Sequence, residues 1–177
     1  MYFHTFPTTE YDPSGSGFTN QIQDILIRVK VRNWIKNNGA LFSKYIVSEG
    51  DTPEIVSFKM YGEVKYNWVI LLFNQITNTY YGWPLNRNNF LSYINSKYTN
   101  PNGIHHYEIS QESGGSWKKI VVELTEHPTA TPVTNIEYEQ EIQKKLREIR
   151  ILQPNFLKQF ESEFKQLVRQ KNNGRNN

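Results

Sequence analysis

Side chains that commonly carry out catalysis are sparse in this sequence. It contains no cysteine, which excludes a thiol nucleophile and thiolate metal ligands. The four histidines are His4, His105, His106 and His127, and none accompanies a G-x-S-x-G nucleophile motif. His105 and His106 are adjacent, and adjacent side chains of a strand point to opposite faces of a sheet. Because a metal site needs about three converging ligands, we expect neither acyl transfer nor metal binding.

Glycines and carboxylates give no stronger signal for a reaction. Gly114 and Gly115 are not followed by the Lys-Ser/Thr pair of a phosphate-binding loop, and no helix pattern begins there. We therefore predict that they form a hairpin turn. The paired carboxylates of a glycoside hydrolase are defined by their separation in space, and the sequence singles out no such pair. The sequence thus predicts no catalytic residue, no cofactor and no metal ion.

Length and charge favour a single globular core with extensions. A chain of 177 residues can bury such a core without disulfides. Twenty Lys and Arg against 17 Asp and Glu give a net charge of only +3. The densest basic stretch contains Glu139, Glu141 and Glu148, which is typical of a solvent-exposed helix face, so no nucleic-acid partner is expected. No apolar run approaches the roughly 18 residues of a membrane span, and residues 1–5 lack the pattern of a signal peptide.

Turn-forming residues and aromatic residues alternate at the start of the chain. Residues 1–20 contain Pro7 and the run Ser14–Gly17, which predicts an extended arm with little helix or strand. Apolar residues at a spacing near 3.6 predict a helix over residues 19–38. The arm is aromatic enough to dock, either on a partner or on the rest of this chain.

The central part predicts a compact strand and helix unit. A strand is expected at residues 43–49, a helix beginning at Pro53 with Thr52 as its N-cap, and a second helix at residues 65–75. A second strand is expected at residues 79–83, and a further helix at residues 87–98.

Three further segments complete the chain. Residues 104–124 predict a β-hairpin. A linker rich in proline and threonine is expected at residues 126–135, and it is too polar to pack well. Two helical stripes follow, interrupted at Pro154. Either this chain's own core or a neighbouring subunit must cover the second stripe, because its three phenylalanines would be costly to leave in water.

The central block resembles a LysM module, a small β-α-α-β unit. The resemblance rests on Tyr45-x-Val47-x-x-Gly50-Asp51-Thr52, followed in order by Ile55-Val56, Tyr61-Gly62, Trp68-x-Ile70 and Asn74. LysM modules bind polymers of N-acetylglucosamine, so the resemblance implies a cell-wall glycan as a ligand. The sequence departs from the usual second strand, however, with Tyr80-Tyr81-Gly82-Trp83-Pro84-Leu85 in its place.

A second resemblance covers most of the chain. The runs Met60-Tyr61-Gly62, Trp68-Val69-Ile70-Leu71-Leu72, Asn74 and Tyr80-Tyr81-Gly82-Trp83 are similar to the LysM-like baseplate wedge protein of T4-type contractile-tailed phages. The aromatic start, the hairpin around His106-Tyr107 and the run from Lys145 to Leu152 are similar too. This resemblance implies a non-enzymatic virion protein, assembled in the host cytoplasm into the tail baseplate. Its implied partners are other baseplate wedge and tail proteins.

The expected fold class is α+β, with a small LysM-like β-α-α-β centre. We divide the chain into an N-terminal arm and helix (residues 1–42), a LysM-like core with its following helix (43–100), a hairpin and linker (101–135) and a C-terminal helical region (136–177). The residues that carry the family signature are Gly50, Asp51, Thr52, Tyr61, Gly62, Trp68, Asn74, Tyr80, Tyr81, Gly82 and Trp83. The candidate partner-interface residues are Phe3, Phe6, Tyr11, Tyr138, Ile142, Leu146, Phe156, Phe160, Phe164 and Leu167.

Two functions follow from these patterns. The first is a structural wedge subunit that contacts neighbouring wedges and helps to close the baseplate ring around the tail tube. The alternative is a LysM-type module that binds peptidoglycan or chitin as part of a tail-associated wall-digesting device. Exposed aromatic or amide groups in a groove between residues 50–52 and residues 76–80 would favour the alternative.

Overall fold

The structure is a computed structural model that describes residues 6–25, 31, 35, 38–111 and 118–173, with side chains up to Val168. These residues form seven strands and six α-helices, which confirms the α+β class. The strands are β1 (Thr8–Tyr11), β2 (Asn20–Gln23), β3 (Phe42–Ile46), β4 (Ile104–Ser110), β5 (Lys119–Val122), β6 (Thr131–Thr134) and β7 (Glu148–Leu152). The helices are α1 (Pro53–Tyr61), α2 (Asn67–Phe73), α3 (Thr79–Gly82), α4 (Arg87–Lys97), α5 (Asn135–Arg147) and α6 (Pro154–Asn173).

The chain divides into two compact units. The first unit comprises Met1–Val47, Asp51–Thr79 and Ile149–Asn177, and the second comprises Ser48–Gly50 and Tyr80–Glu148. The four segments predicted from the sequence remain a prediction.

Helix α1 of the first unit has the boundaries that its capping residues predict. The Thr52 hydroxyl accepts a hydrogen bond from the Ile55 N–H at 3.3 Å, and Pro53 follows at the first helical position. Gly62 ends the helix with φ of 74°, a left-handed conformation that glycine adopts without strain. Its N–H donates to the Phe58 carbonyl at 2.9 Å. Helix α1 is therefore fixed at both ends by local sequence alone.

Two predictions made for the centre of the chain were wrong. Residues 79–82 form helix α3 instead of the expected second strand, and β3 pairs with β7, from a region predicted to be helical. Strand β7 buries Ile149 and Ile151 and exposes the intervening Arg150, which is the two-residue period of a strand. The sequence pattern did not reveal this alternation, because Ile149 also continues the helical stripe of the preceding residues.

Asn74 joins the end of α2 to β7 through its side-chain amide. Its Nδ2 donates to the Arg150 carbonyl at 2.7 Å and to the Ile70 carbonyl at 2.8 Å, and its Oδ1 accepts from the Arg150 N–H at 2.9 Å. The amide thus meets both backbone groups of Arg150, as a neighbouring strand would. Asn74 fixes the position of β7 relative to the helix.

Helix α6 covers the core of the first unit. Val69 and Phe73 of α2 are buried against Leu152 and Leu157. Phe160, one turn further along α6, packs on Phe73 with 4.8 Å between ring centroids. This chain's own core therefore covers much of the apolar stripe of α6.

The N-terminal arm forms a β-hairpin, so the prediction of an extended arm with little helix or strand was wrong. Strands β1 and β2 pair antiparallel, and β2 replaces the start of the helix expected at residues 19–38. Most of the remainder of that expected helix lies outside the described residues. In the connecting loop, Asp12 accepts hydrogen bonds from the N–H groups of Ser14, Gly15 and Gly17 at 2.7–3.0 Å. These bonds, above all that from Gly17, lower the pKa of Asp12.

The second unit contains a three-stranded antiparallel sheet in the order β5-β4-β6. The pairing of β4 with β5 confirms the predicted hairpin. Residues 112–117, which include the predicted turn, lie outside the described residues. Strand β6 lies in the segment that was expected to be an unpacked linker. Pro132 is tolerated there because β6 is an edge strand. Helix α5 begins with a reciprocal capping box between Thr134 and Glu137 and packs against β4 and β6.

We predict that Asn74→Ala lowers the free energy of unfolding by about 1–3 kcal/mol, because the backbone groups of Arg150 lose their partner. Chemical denaturation of the full chain measures this loss. The control is Asn95→Ala, at an exposed position in the last turn of α4. It should stay within about 0.5 kcal/mol of the wild type. Equal losses for the two variants would contradict the role assigned to Asn74.

Candidate functional site

The Gly50-Asp51-Thr52 turn is engaged within the chain. Asp51 is buried, with Oδ1 at 2.7 Å from the Lys59 ammonium and Oδ2 accepting a hydrogen bond from the Tyr45 hydroxyl at 2.9 Å. Thr52 caps α1. Gly50 has φ of 81°, which suits glycine. The polar groups of Asp51 and Thr52 therefore stabilise the fold.

The aromatic signature residues of the first unit are also packed. The Tyr61 hydroxyl donates to the Leu152 carbonyl at 3.0 Å, and burial raises the pKa of Tyr61. Trp68 lies 4.7 Å from Phe164 and 5.9 Å from Phe160, measured between ring centroids. Both side chains hold α6 and β7 to the helices before them.

The signature residues around Gly82 divide into exposed and buried side chains. Tyr80 and Tyr81 expose 84% and 82% of their surfaces, whereas Trp83 is buried. Gly82 ends the short helix α3 between them. Two adjacent tyrosines with this exposure are suited to contacting a partner.

The candidate interface residues mostly contact this chain itself. Phe6 is buried against Phe164 in an edge-to-face contact at 6.3 Å between ring centroids. Phe156 and Phe160 pack against the core of the first unit, and Tyr138, Ile142 and Leu146 are half-buried. Of the described candidates, Tyr11 and Leu167 are exposed, and Phe3 lies outside the described residues. Their role at an interface remains a prediction.

One face of the β1–β2 hairpin carries two exposed apolar side chains. Thr9 pairs with Ile22 and Tyr11 with Asn20, so these four residues share one face, on which Tyr11 and Ile22 are the apolar side chains. Tyr11 is 53% exposed and Ile22 is 42% exposed. Phe18 in the connecting loop is 84% exposed. The opposite face carries Thr8, Glu10, Gln21 and Gln23.

His105 and His106 lie together, contrary to the prediction that they point apart. The register of β4 against β6 shifts between Ile104 and His106, which places a bulge at His105. The two Nδ1 atoms are 2.8 Å apart, and His105 stacks on Tyr138 with 3.9 Å between ring centroids. The alternation rule failed because the extra residue interrupts the pleat. The described residues contain no group of three or more His, Cys, Asp or Glu that could hold a metal ion.

A buried carboxylate that sequence reasoning missed connects α4 to α5. Glu139 is 2% exposed, and its Oε1 lies 2.6 Å from the Lys97 ammonium and 2.8 Å from the Tyr98 hydroxyl. The hydrogen bond to Glu139 is the main cause of the raised pKa of Lys97. Within the sequence Glu139 looks like one more charge on a solvated helix face, so no local signal marked it.

Glu49 makes a second polar connection in this unit. Its carboxylate accepts from the Arg87 N–H, at the start of α4, at 2.6 Å and from the Arg147 guanidinium at 3.0 Å. These two contacts, led by the Arg87 N–H, lower the pKa of Glu49. Throughout the described residues, every buried side-chain nitrogen or oxygen has a hydrogen-bond partner.

Exposed apolar side chains, such as those of Tyr11, Phe18 and Ile22, are typical of a surface that contacts partners. No helix in the described part of the chain is long and apolar enough to cross a membrane. The family model for phage base plate wedge protein 53 matches residues 1–149, and the chain belongs to this family. It is therefore a structural protein of a phage tail baseplate. The match leaves the likeness to LysM modules unconfirmed. No curated protein matches the chain.

We predict that Lys97→Met destabilises the chain more than Glu139→Gln. The first change leaves a buried carboxylate without its cation, whereas the second leaves a half-exposed ammonium that water solvates. Because Lys97 is 42% exposed and screened by water, the free energy of unfolding should fall by only about 2 kcal/mol for Lys97→Met and about 1 kcal/mol for Glu139→Gln. Chemical denaturation measures both. Lys145→Met is the control, at an exposed position of α5. A loss for the control as large as that for Lys97→Met would contradict this assignment.

The lowered pKa of Glu49 predicts a stability difference that depends on pH. A carboxylate whose pKa is lower in the folded state than the ordinary 4.5 stabilises the fold above that value. This contribution disappears as the pH falls through the folded pKa. Wild type should therefore be more stable than Glu49→Gln at pH 7, and the difference should shrink toward pH 3. Unfolding curves of the two proteins across this range test the prediction, and a constant difference would rule it out.

Proposed function

We propose that the chain holds neighbouring wedges together and helps to close the baseplate ring around the tail tube. Its partners in this role are other baseplate wedge and tail proteins. Membership of the base plate wedge protein 53 family supports the proposal. The observation that carries it is the exposed apolar face of the N-terminal hairpin, formed by Tyr11 and Ile22.

The hairpin has the properties of a docking element. A two-stranded ribbon has no core of its own, so large apolar side chains on one face gain stability by covering a partner. Phe6 anchors the base of the hairpin, and the Asp24 N–H donates to the Pro7 carbonyl at 2.8 Å. The hydrogen bonds to Asp12 order the loop beside Phe18. An element that is ordered before it binds loses less conformational entropy on contact.

The glycan-binding alternative receives less support from the turn on which it depends. Asp51 is buried between Lys59 and Tyr45, and the Thr52 hydroxyl is used as a helix cap. Tyr80, within residues 76–80, is exposed, as this alternative expects. Because the polar groups of the turn itself are engaged within the chain, we do not propose carbohydrate binding as its function.

A double substitution on the apolar hairpin face tests the proposal. Tyr11→Thr with Ile22→Thr keeps strand propensity but removes both apolar side chains. A loss of about 2 kcal/mol of contact energy predicts roughly 30-fold weaker association with partners. The measurement is the amount of the chain in purified particles, when each variant is supplied in trans to a phage that lacks it.

The control changes the opposite face of the same hairpin. Glu10→Gln with Gln21→Thr should enter particles as the wild type does. Thermal unfolding of the free variants shows whether the hairpin substitutions affect folding. Normal incorporation of the Tyr11/Ile22 variant would overturn the assignment of this face to a partner.

A further inference from the structure

Strand β5 is an edge strand with an apolar centre. In the described part of the chain, its neighbour in the sheet is β4, and nothing pairs with its other side. Ile120 and Val121 are 45% and 65% exposed, although they occupy the middle of the strand. An edge of this kind offers unpaired backbone N–H and C=O groups to another strand.

The register of the sheet identifies which backbone groups face the open side. The Gln111 N–H donates to the Lys118 carbonyl at 2.9 Å, and Ile109 lies opposite Ile120. In an antiparallel pair, residues alternate between pointing their backbone groups toward and away from the partner strand. Lys118, Ile120 and Val122 therefore direct their backbone N–H and C=O groups toward β4. Lys119 and Val121 direct their N–H and C=O groups to the open side.

The other edge of the same sheet is closed at the corresponding position. On β6, Pro132 lies opposite Tyr107, whose backbone groups point toward β5. Pro132 thus occupies an outward-facing position and has no N–H to offer. Val121 is the outward-facing residue at the centre of β5, and it retains its N–H. The β6 edge is therefore blocked against strand pairing at this position, whereas the β5 edge is not.

The segment Lys119–Glu123, which is β5 and the residue that follows it, is complementary to itself when read in the opposite direction. If two copies of β5 lie antiparallel with Val121 opposite Val121, Ile120 lies opposite Val122. Lys119 then lies opposite Glu123 at each end, so unlike charges meet twice. The Glu123 carbonyl already accepts from the Glu126 and His127 N–H groups at 3.2 and 3.1 Å, so Glu123 contributes its side chain to this pairing. Neither Lys119 nor Glu123 is in an ion pair with another described residue. Cross-strand pairs of opposite charge stabilise an antiparallel ribbon, and like charges in the same positions oppose it.

We propose that β5 is an interaction surface for a second copy of this chain. The two strands pair antiparallel about a two-fold axis at Val121, and the two sheets join into one of six strands. The residues that determine the register are Lys119 and Glu123, and those that provide the apolar contact are Ile120, Val121 and Val122. A two-fold contact joins two copies and cannot extend around a ring, so it is separate from the contacts of the proposed function. Because the strand is short, the dimer is weak and depends on protein concentration.

Sedimentation of the full chain over about a hundredfold range of concentration tests the proposal. Wild type should shift from monomer to dimer. Val121→Pro removes one outward N–H without touching the bonds to β4, so this variant should remain monomeric while its melting temperature stays close to that of the wild type. Val121→Thr, which keeps the N–H and the strand propensity, is the control and should dimerise. A wild type that is monomeric throughout, or a dimer that survives Val121→Pro, would overturn the proposal.

Charge reversal tests both the register and the identity of the partner. Lys119→Glu places two acidic residues opposite each other at both ends and should weaken dimerisation about tenfold. Glu123→Lys should do the same with two basic residues. The double variant again places unlike charges opposite each other, but only when the partner is a copy of itself, and should return to within about threefold of the wild type. A double variant as weak as the single ones would show that the register or the partner is wrong.

A foreign strand is the competing occupant of this edge. It would be indicated if wild type is monomeric while Val121→Pro reduces incorporation into particles. That result would overturn dimerisation and would leave the hairpin proposal to its own test.

Discussion

The pairing of β3 with β7 is the contact on which the first unit depends. The two strands are separated by about a hundred residues of sequence, yet they form one two-stranded sheet. Side chains reinforce this pairing: Asn74 bonds both backbone groups of Arg150, and Tyr61 donates to Leu152. Gln153 extends it, with its N–H donating to the Leu41 carbonyl and its amide to the Ala40 carbonyl. Leu152 of β7 also belongs to the buried cluster around Val69 and Phe73, so without β7 the buried face of α2 would lose part of its cover.

The features that could be read from the sequence are those set by neighbouring residues. Thr52, Pro53 and Gly62 define α1 through local capping and turn preferences, and the structure has the helix there. The β4–β5 hairpin also follows from residues close in sequence. In each case the interacting residues lie within a short segment, so the local sequence pattern is enough to predict the element.

The features that could not be read depend on distant partners. Strand β7 was hidden because Ile149 suits both a helical stripe and an alternating strand, and only the presence of β3 decides between them. Strand β6 is polar and contains Pro132, yet β4 supplies the backbone partners that it needs. The contact between His105 and His106 arises from a register shift, which depends on both strands. Among the candidate site residues, the sequence could not say which aromatic side chains the fold would cover, and Phe6 and Phe164 cover each other.

The order of segments along the chain has a consequence for synthesis on the ribosome. Residues 80–148, most of the second unit, are continuous, and their contacts are available as soon as they have emerged. The first unit cannot finish folding until β7 and α6 have been synthesised, because β3 lacks its partner strand before then. Contacts between distant segments form slowly, since a long loop must close before they contribute. Until then the apolar face of α2 lacks Leu152 and Leu157, so the nascent chain is most prone to aggregation just before the last thirty or so residues appear.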